Sequence, residues 1–422
     1  MRARFLTAWL VVLTLVAKPA SGAITELIAF GDSLSDVGNI SAGTFGFVPG
    51  GDYFAGRFSD GPVWVEGLAG RLGVANPVRS ASGGRNYAYG GTTSGDGFLT
   101  VREFIFTFNF PNAGEQVNRF LGSSPVLDGD ELITLWSGGN DLFDISGSLA
   151  ADGPGRVAAM LANVETNIGR LTAAGARHLV VPNLPALGQT PDFGGGVQVI
   201  DTFVASYNSQ LAGVLEGLNE TGPAEIYPLD VFSMTNAWVD DPGRYGFVNT
   251  TDAYLDSPVG DVNGYVFFDG VHPTARAHGY LAQGAWQLVL GGDLDASGGL
   301  DAGDLLLILD RLGVADAASV ANVDGDLVVD GDDALAWITE LFGSVAGDLN
   351  LDRSVDLIDL SILAGGFGGT GDYLAGDASF DGVIDLVDLS ILAGSFGFGG
   401  VVPEPGGFWL LSFGLLRLRK TW

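Results

Sequence analysis

Cysteine is absent from the 422 residues, and histidine occurs only three times. The first absence excludes a disulfide framework, a cysteine nucleophile and thiolate metal sites, so burial and hard-cation sites are left to hold the chain. The second makes His178, His272 and His278 the whole stock from which an imidazole base can be drawn. Basic residues are scarce as well, 19 against 50 acidic ones, and the formal net charge of −31 excludes sequence-independent binding to nucleic acid phosphates. Apolar runs comfortable for spanning a bilayer are also missing, since 5–16 and 408–416 are both short of that length. Neither Gly-x-Ser-x-Gly nor His-Glu-x-x-His occurs.

What is present divides along the chain. Arg2 and Arg4 precede the first apolar run, and Ala20-Ser21-Gly22-Ala23 follow it. That layout is a secretory signal peptide over 1–23, expected to be removed. Between 293 and 400 there are 21 acidic and 2 basic residues, a composition change that sets a domain boundary near Gly291-Gly292. Within 24–290, short apolar runs at 27–30, 132–136, 178–182 and 226–228 alternate with helical periodicity over 61–72, 150–174, 201–218 and 274–290. The alternation predicts an α/β domain with a mainly parallel sheet, whose ligands bind beyond the carboxyl ends of the strands.

At the first such end stands Gly31-Asp32-Ser33-Leu34-Ser35-Asp36. Ser33 is a nucleophile if its hydroxyl leaves the sheet edge, and a helix N-cap if it does not. Asn86-Tyr87-Ala88-Tyr89-Gly90-Gly91-Thr92 can present a glycine N–H to an oxyanion, and Ser137-Gly138-Gly139-Asn140-Asp141 can aim an amide into the cleft. Asp269-Gly270-Val271-His272-Pro273 puts a carboxylate three residues before a loop histidine, where it can hold the tautomer that accepts the serine proton.

In that order these blocks resemble the GDSL (SGNH) hydrolase family. Arg57-Phe58-Ser59-Asp60-Gly61-Pro62-Val63-Trp64-Val65-Glu66 and Val180-Val181-Pro182-Asn183-Leu184-Pro185 resemble its lipase and esterase branch. The resemblance covers nearly all of 24–290. It implies a flavodoxin-like three-layer α/β/α domain and a serine carboxylic ester hydrolase that needs no cofactor for catalysis. Ser33 would attack, His272 would act as base and then acid, and Asp269 would orient it. The N–H groups of Ser33 and Gly91 and the amide of Asn140 would form the oxyanion hole. Short-acyl or lipid esters and acetylated polysaccharides are the substrate classes implied. The alternative is a non-catalytic surface-binding protein on the same scaffold.

Beyond Gly292 the chain repeats, with twelve-residue loops starting at Asp293, Asn322, Asp348 and Asp377. Their oxygen donors fall at positions 1, 3, 5, 9 and 12. These are Asp293, Asp295, Ser297, Asp301 and Asp304; Asn322, Asp324, Asp326, Asp330 and Asp333; Asp348, Asn350, Asp352, Asp356 and Asp359; and Asp377, Ser379, Asp381, Asp385 and Asp388. Such spacing surrounds a hard cation and points to structural calcium. The apolar stretch after each loop predicts a short helix packing on its twin. The loops resemble type I dockerin repeats, giving two α-helical units at 293–345 and 348–398 and implying a cohesin-like surface partner. Arg353, where a glycine is usual, departs from that pattern.

The end, Val402-Pro403-Glu404-Pro405, then 408–416 and Arg417-Leu418-Arg419-Lys420, resembles a PEP-CTERM sorting signal over 399–422. It implies sorting machinery and a secreted or outer-envelope location in a Gram-negative-type bacterium.

Overall fold

The computed structural model describes residues 24–399 apart from 144–148, 195–197, 296, 298 and 316–318. The expected signal peptide, and the sorting signal from residue 400 onward, lie outside the described residues.

The central sheet is built from β1 (Glu26–Gly31), β4 (Glu131–Trp136), β5 (His178–Pro182) and β6 (Glu225–Leu229), all parallel and in that spatial order. Along the free side of β1, residues 85–89 add a parallel ladder: Ala29 N–H donates to the Arg85 carbonyl at 3.0 Å, and Tyr87 and Tyr89 N–H donate to Ala29 and Gly31 carbonyls at 2.7 and 3.1 Å. Counting this segment as the second strand, the order is 2-1-3-4-5, the doubly wound arrangement whose switch point lies between β1 and β4. Ser33 and Asn140 follow those two strands.

Side chains alternate between two cores. Ile28, Phe30, Ile133, Leu135, Leu179 and Val181 face one core with α3 (Ala113–Gly122), α5 (Leu149–Ala173) and α6 (Gln198–Thr221). Leu27, Ala29, Leu132, Trp136 and Val180 face the other, with α2 (Trp64–Leu72), α7 (Val231–Asp240) and α8 (Ala275–Leu290). Burial on both faces is why these strands read as continuous apolar runs. The α/β/α expectation is borne out. Outside the layers lie the short helices α1 (Asn39–Gly43) and α4 (Gly139–Phe143), a hairpin of β2 (Phe98–Glu103) and β3 (Phe106–Pro111), and a parallel pair of β7 (Asn249–Ala253) and β8 (Tyr265–Phe267).

The repeats form α9 (Ala302–Leu309), α10 (Gly331–Ala336), α11 (Leu357–Gly366) and α12 (Leu386–Ser395) around a third core. That core runs through both expected units, from Leu294 and Trp337 to Leu363 and Leu392. Each loop closes on its helix in the same way: the position-9 aspartate is the N-cap, and the position-12 aspartate returns a hydrogen bond to it in a capping box. Arg353 adopts the left-handed conformation a glycine would take, φ +66°, and its guanidinium lies 4.5 Å over the Phe342 ring.

The second loop is different. Leu327 packs against the second core of the sheet, Arg244 pairs with Asp324 and Asp326, and Gln283 donates to the Ser319 and Asn322 carbonyls at 3.0 and 2.9 Å. A guanidinium therefore neutralises two of that loop's expected calcium donors, and the first repeat pair is seated directly on α8.

Candidate active site

Gly31 ends β1 with φ +148°, and a Cβ there would sit 2.2 Å from the Trp136 carbonyl oxygen. Only glycine lets β1 and β4 run this close to the turn that carries Ser33. Gln116 clamps the same peptide from α3, its Oε1 accepting from Gly31 N–H at 2.9 Å and its Nε2 donating to the Gly31 carbonyl at 2.8 Å. Ser33, 6 % exposed, has its Oγ 2.8 Å from His272 Nε2. His272 Nδ1 lies 2.7 Å from Asp269 Oδ2, while Asp269 Oδ1 accepts the N–H groups of Val271 and His272 at 2.9 and 2.7 Å. Burial raises the Asp269 carboxyl, but the hydrogen bond and charge of His272, the Val271 N–H and the Tyr53 hydroxyl outweigh it and hold the group at about 2. Asp269 is thus a carboxylate at any working pH.

The other two histidines have different surroundings. His178 opens β5 beside the Tyr227 hydroxyl at 3.1 Å. His278 is buried in α8, where burial drives it down to about 3, and its neutral Nδ1 accepts the Trp64 N–H at 3.3 Å. Neither reaches Ser33 by any hydrogen bond among the described residues.

The expected oxyanion donors sit on turns that are hydrogen-bonded to one another. Asn140 Nδ2 donates to the Thr92 carbonyl at 2.9 Å, which brings its amide to the residue after Gly91. Gly90 N–H is taken by Asp36 Oδ2 at 2.9 Å. Gly91, at φ +74°, and Ser33 keep their N–H groups without a hydrogen-bonding partner among the described residues. Asp141 anchors the Asn140 turn by accepting from Ser94 Oγ and N–H at 2.8 and 2.9 Å. Asp32, buried next to Ser33, is pushed up to about 7 by burial, against the Leu34 N–H it accepts.

Several positioning residues carried no sequence signal of their role. Asp36 is fully buried, accepts N–H groups from Gly38, Asn39, Ile40 and Gly90, and so ties the Ser33 turn to the glycine turn; burial raises it to about 6 against those bonds. Ser59 Oγ donates to the Pro273 carbonyl at 2.9 Å, and Asp60 Oδ1 accepts the Ala275 N–H at 2.7 Å, so the 57–66 block holds the His272 loop. Tyr53 Oη donates to Asp269 Oδ2 at 2.7 Å, with Phe58 between it and the His272 ring. Tyr53→Phe is expected to lower kcat about tenfold, the worth of a hydrogen bond to a charged group. A purely structural tyrosine would lower Tm and leave kcat unchanged.

A serine, an imidazole and a carboxylate in hydrogen-bonded sequence, facing backbone and amide N–H donors, define an acyl-transfer site. Residues 27–285 match the model of the GDSL-like lipase/acylhydrolase family. The chain belongs to that family. It is 28% identical over 321 residues to an uncharacterized protein in the trpE-trpG intergenic region of Pseudomonas putida, covering 68% of this chain and 52% of that one. It is likewise 28% identical over 249 residues to a phosphatidylcholine-sterol acyltransferase of Aeromonas hydrophila, covering 58% of this chain and 69% of the relative. The chain thus spans about half the length of the Pseudomonas relative. A solved lipolytic protein of the G-D-S-L family from Veillonella parvula aligns with a TM-score of 0.37 at 17% identity, covering 62% of this chain and 97% of that one.

Proposed function

We infer that the protein is an exported serine carboxylic ester hydrolase that cleaves acyl esters through a Ser33 acyl-enzyme. The observation that carries this reading is the line from Ser33 Oγ through His272 to Asp269, at 2.8 and 2.7 Å, with the N–H groups of Ser33 and Gly91 unpartnered among the described residues. His272 Nε2 takes the Ser33 proton as Oγ attacks the ester carbonyl carbon. The resulting oxyanion is met by Ser33 N–H, Gly91 N–H and Asn140 Nδ2. Collapse expels the alcohol, which leaves with the proton from Nε2. Water then attacks the acyl-enzyme by the same route and releases the acid.

Acyl lipids are the favoured substrate class, with room for a short acyl segment in the cavity of about 50 Å³ beside Ser33, lined by Leu34, Phe143 and Leu184 among others. The phosphatidylcholine-sterol acyltransferase relative points the same way. Acetylated polysaccharide is the second reading, favoured by the dockerin-like repeats with their exposed Leu357, Ile358, Leu386 and Val387 at the starts of α11 and α12. In the repeats, carboxylate oxygens of Asp293, Asp295 and Asp304 come within 4.8 Å of one another, an all-oxygen set that fits calcium. Calcium there would offset charge and stabilise the third core, without a part in the ester chemistry. A cohesin-like partner and C-terminal sorting to the outer envelope belong to the same proposal.

One panel tests it: soluble esters of increasing acyl length, a phospholipid and acetylated xylan, each assayed with and without a chelator. Hydrolysis of acyl esters with chelator-independent initial rates, and a lower Tm in the chelator, is the expected result. Acetate release from xylan without acyl-lipid cleavage selects the second reading. No hydrolysis of any ester leaves the non-catalytic binding protein.

A further inference from the structure

The β2–β3 hairpin carries an aromatic ladder that the chemistry leaves unused. On β3, Phe106, Phe108 and Phe110 lie on one face, with ring centroids 6.0 and 6.3 Å apart, and Phe110 stacks on Tyr89 at 5.5 Å. Tyr89 is the residue before the Gly90-Gly91 turn. The loop after α1 joins the ladder, Phe45 against Phe106 and Phe108 at 6.4 and 6.1 Å, and Phe47 against Phe104 at 5.5 Å. Exposure rises outward along it, from 6 % at Phe110 to 85 % at Phe104 and 90 % at Ile105 at the tip, with Phe45 at 75 %. The tip is not core.

We propose that this hairpin tip and the 45–47 loop form a surface that enters the apolar layer of a zwitterionic lipid assembly, bringing its esters to the Ser33 site; this rests on the acyl-lipid reading above. Three observations choose that occupant. Residues 40–51 and 104–114 contain no charged side chain, so nothing in either segment would be left desolvated and unpaired in hydrocarbon. The rings of Phe47 and Phe104 meet at 63°, and those of Phe45 and Phe106 at 64°, so they give no flat platform for a sugar, and Phe and Ile offer no hydrogen bonds to hydroxyls. The net charge of −31 opposes an anionic membrane, which leaves a zwitterionic one. Continuity with the site completes the argument, since the ladder ends at Tyr89 and the 45–58 loop ends at Phe58, whose ring lies 4.9 Å from that of His272. Large exposed apolar patches of this kind mark protein or membrane contacts.

The test uses the full chain, the double variant Phe104→Ser with Ile105→Ser, and Ser33→Ala, each floated with phosphatidylcholine vesicles, with phosphatidylglycerol vesicles and pulled down on insoluble acetylated xylan. The wild type and Ser33→Ala are expected to float with phosphatidylcholine, and the double variant to bind at least about tenfold less while hydrolysing a soluble short ester at the wild-type rate. No ester hydrolysis by the wild type, with its vesicle binding intact, would sink the enzymatic reading and leave the surface standing. The surface proposal is overturned if the wild type stays with the buffer, if the double variant floats equally, if binding requires phosphatidylglycerol, if xylan captures the chain through these two residues, or if the patch instead joins two copies in sedimentation.

Discussion

Replacing Ser33 by alanine is expected to cut kcat on a soluble ester by about a millionfold, the scale on which a serine nucleophile and its base act as one unit. The substitution removes one oxygen from a site that is otherwise kept. Ser33 Oγ makes its hydrogen bond to His272 Nε2 at 2.8 Å, while the turn itself is held by other groups: Leu34 N–H on Asp32 Oδ1, the Gly31 peptide on Gln116, and Asp36 on four N–H groups. The backbone N–H of residue 33 survives, so KM and fold should change little. His272→Ala, alone or combined with Ser33→Ala, should fall to the same floor, because members of such a unit do not contribute additively. A fluorophosphonate should label the wild type on Ser33 and fail on Ser33→Ala. Retention of activity within about tenfold would take Ser33 out of the chemistry.

That variant also probes how much of the site the sequence could disclose. The chemistry-bearing residues were legible because their types are scarce. Of three histidines, only His272 stands in a loop with an aspartate three residues before it. The four sheet strands were legible because burial on both faces makes them unbroken apolar runs. The segment pairing with β1 at residues 85–89 was not, since Arg85-Asn86-Tyr87-Ala88-Tyr89 has no strand pattern and is fixed by Asn86 and Asn39 hydrogen bonds. The positioning groups were hidden for a different reason. Asp36 meets Gly90 across 54 residues, Gln116 meets Gly31 across 85, and Asp60 and Tyr53 meet the His272 loop across 215 and 216. No local spacing encodes such pairs; they exist only once the sheet has closed. The second calcium-type loop shows the converse, a legible motif whose Asp324 and Asp326 are claimed by Arg244 from the other domain.

Asn140→Ala is the sharper test of the oxyanion hole, with an expected loss of about 10²–10³ in kcat, or about 2.7–4 kcal/mol of transition-state stabilisation. The Asn140 amide has one N–H on the Thr92 carbonyl at 2.9 Å and a second to offer, whereas the turn that carries it is fixed independently by Asp141 on Ser94 and by Arg156 on the Asp141 carbonyl. Alanine therefore deletes a donor without freeing the loop. On the proposed mechanism the amide meets charge that appears only as the tetrahedral intermediate forms, so kcat and kcat/KM should fall together while KM holds. Asn140→Asp should be worse than alanine, since it sets a negative charge where the oxyanion grows. The competing account is that Asn140 merely ties its turn to Thr92. On that account alanine would lower Tm and leave kcat within about threefold, well short of the loss of a hole donor, and the hole would then consist of the Ser33 and Gly91 N–H groups alone.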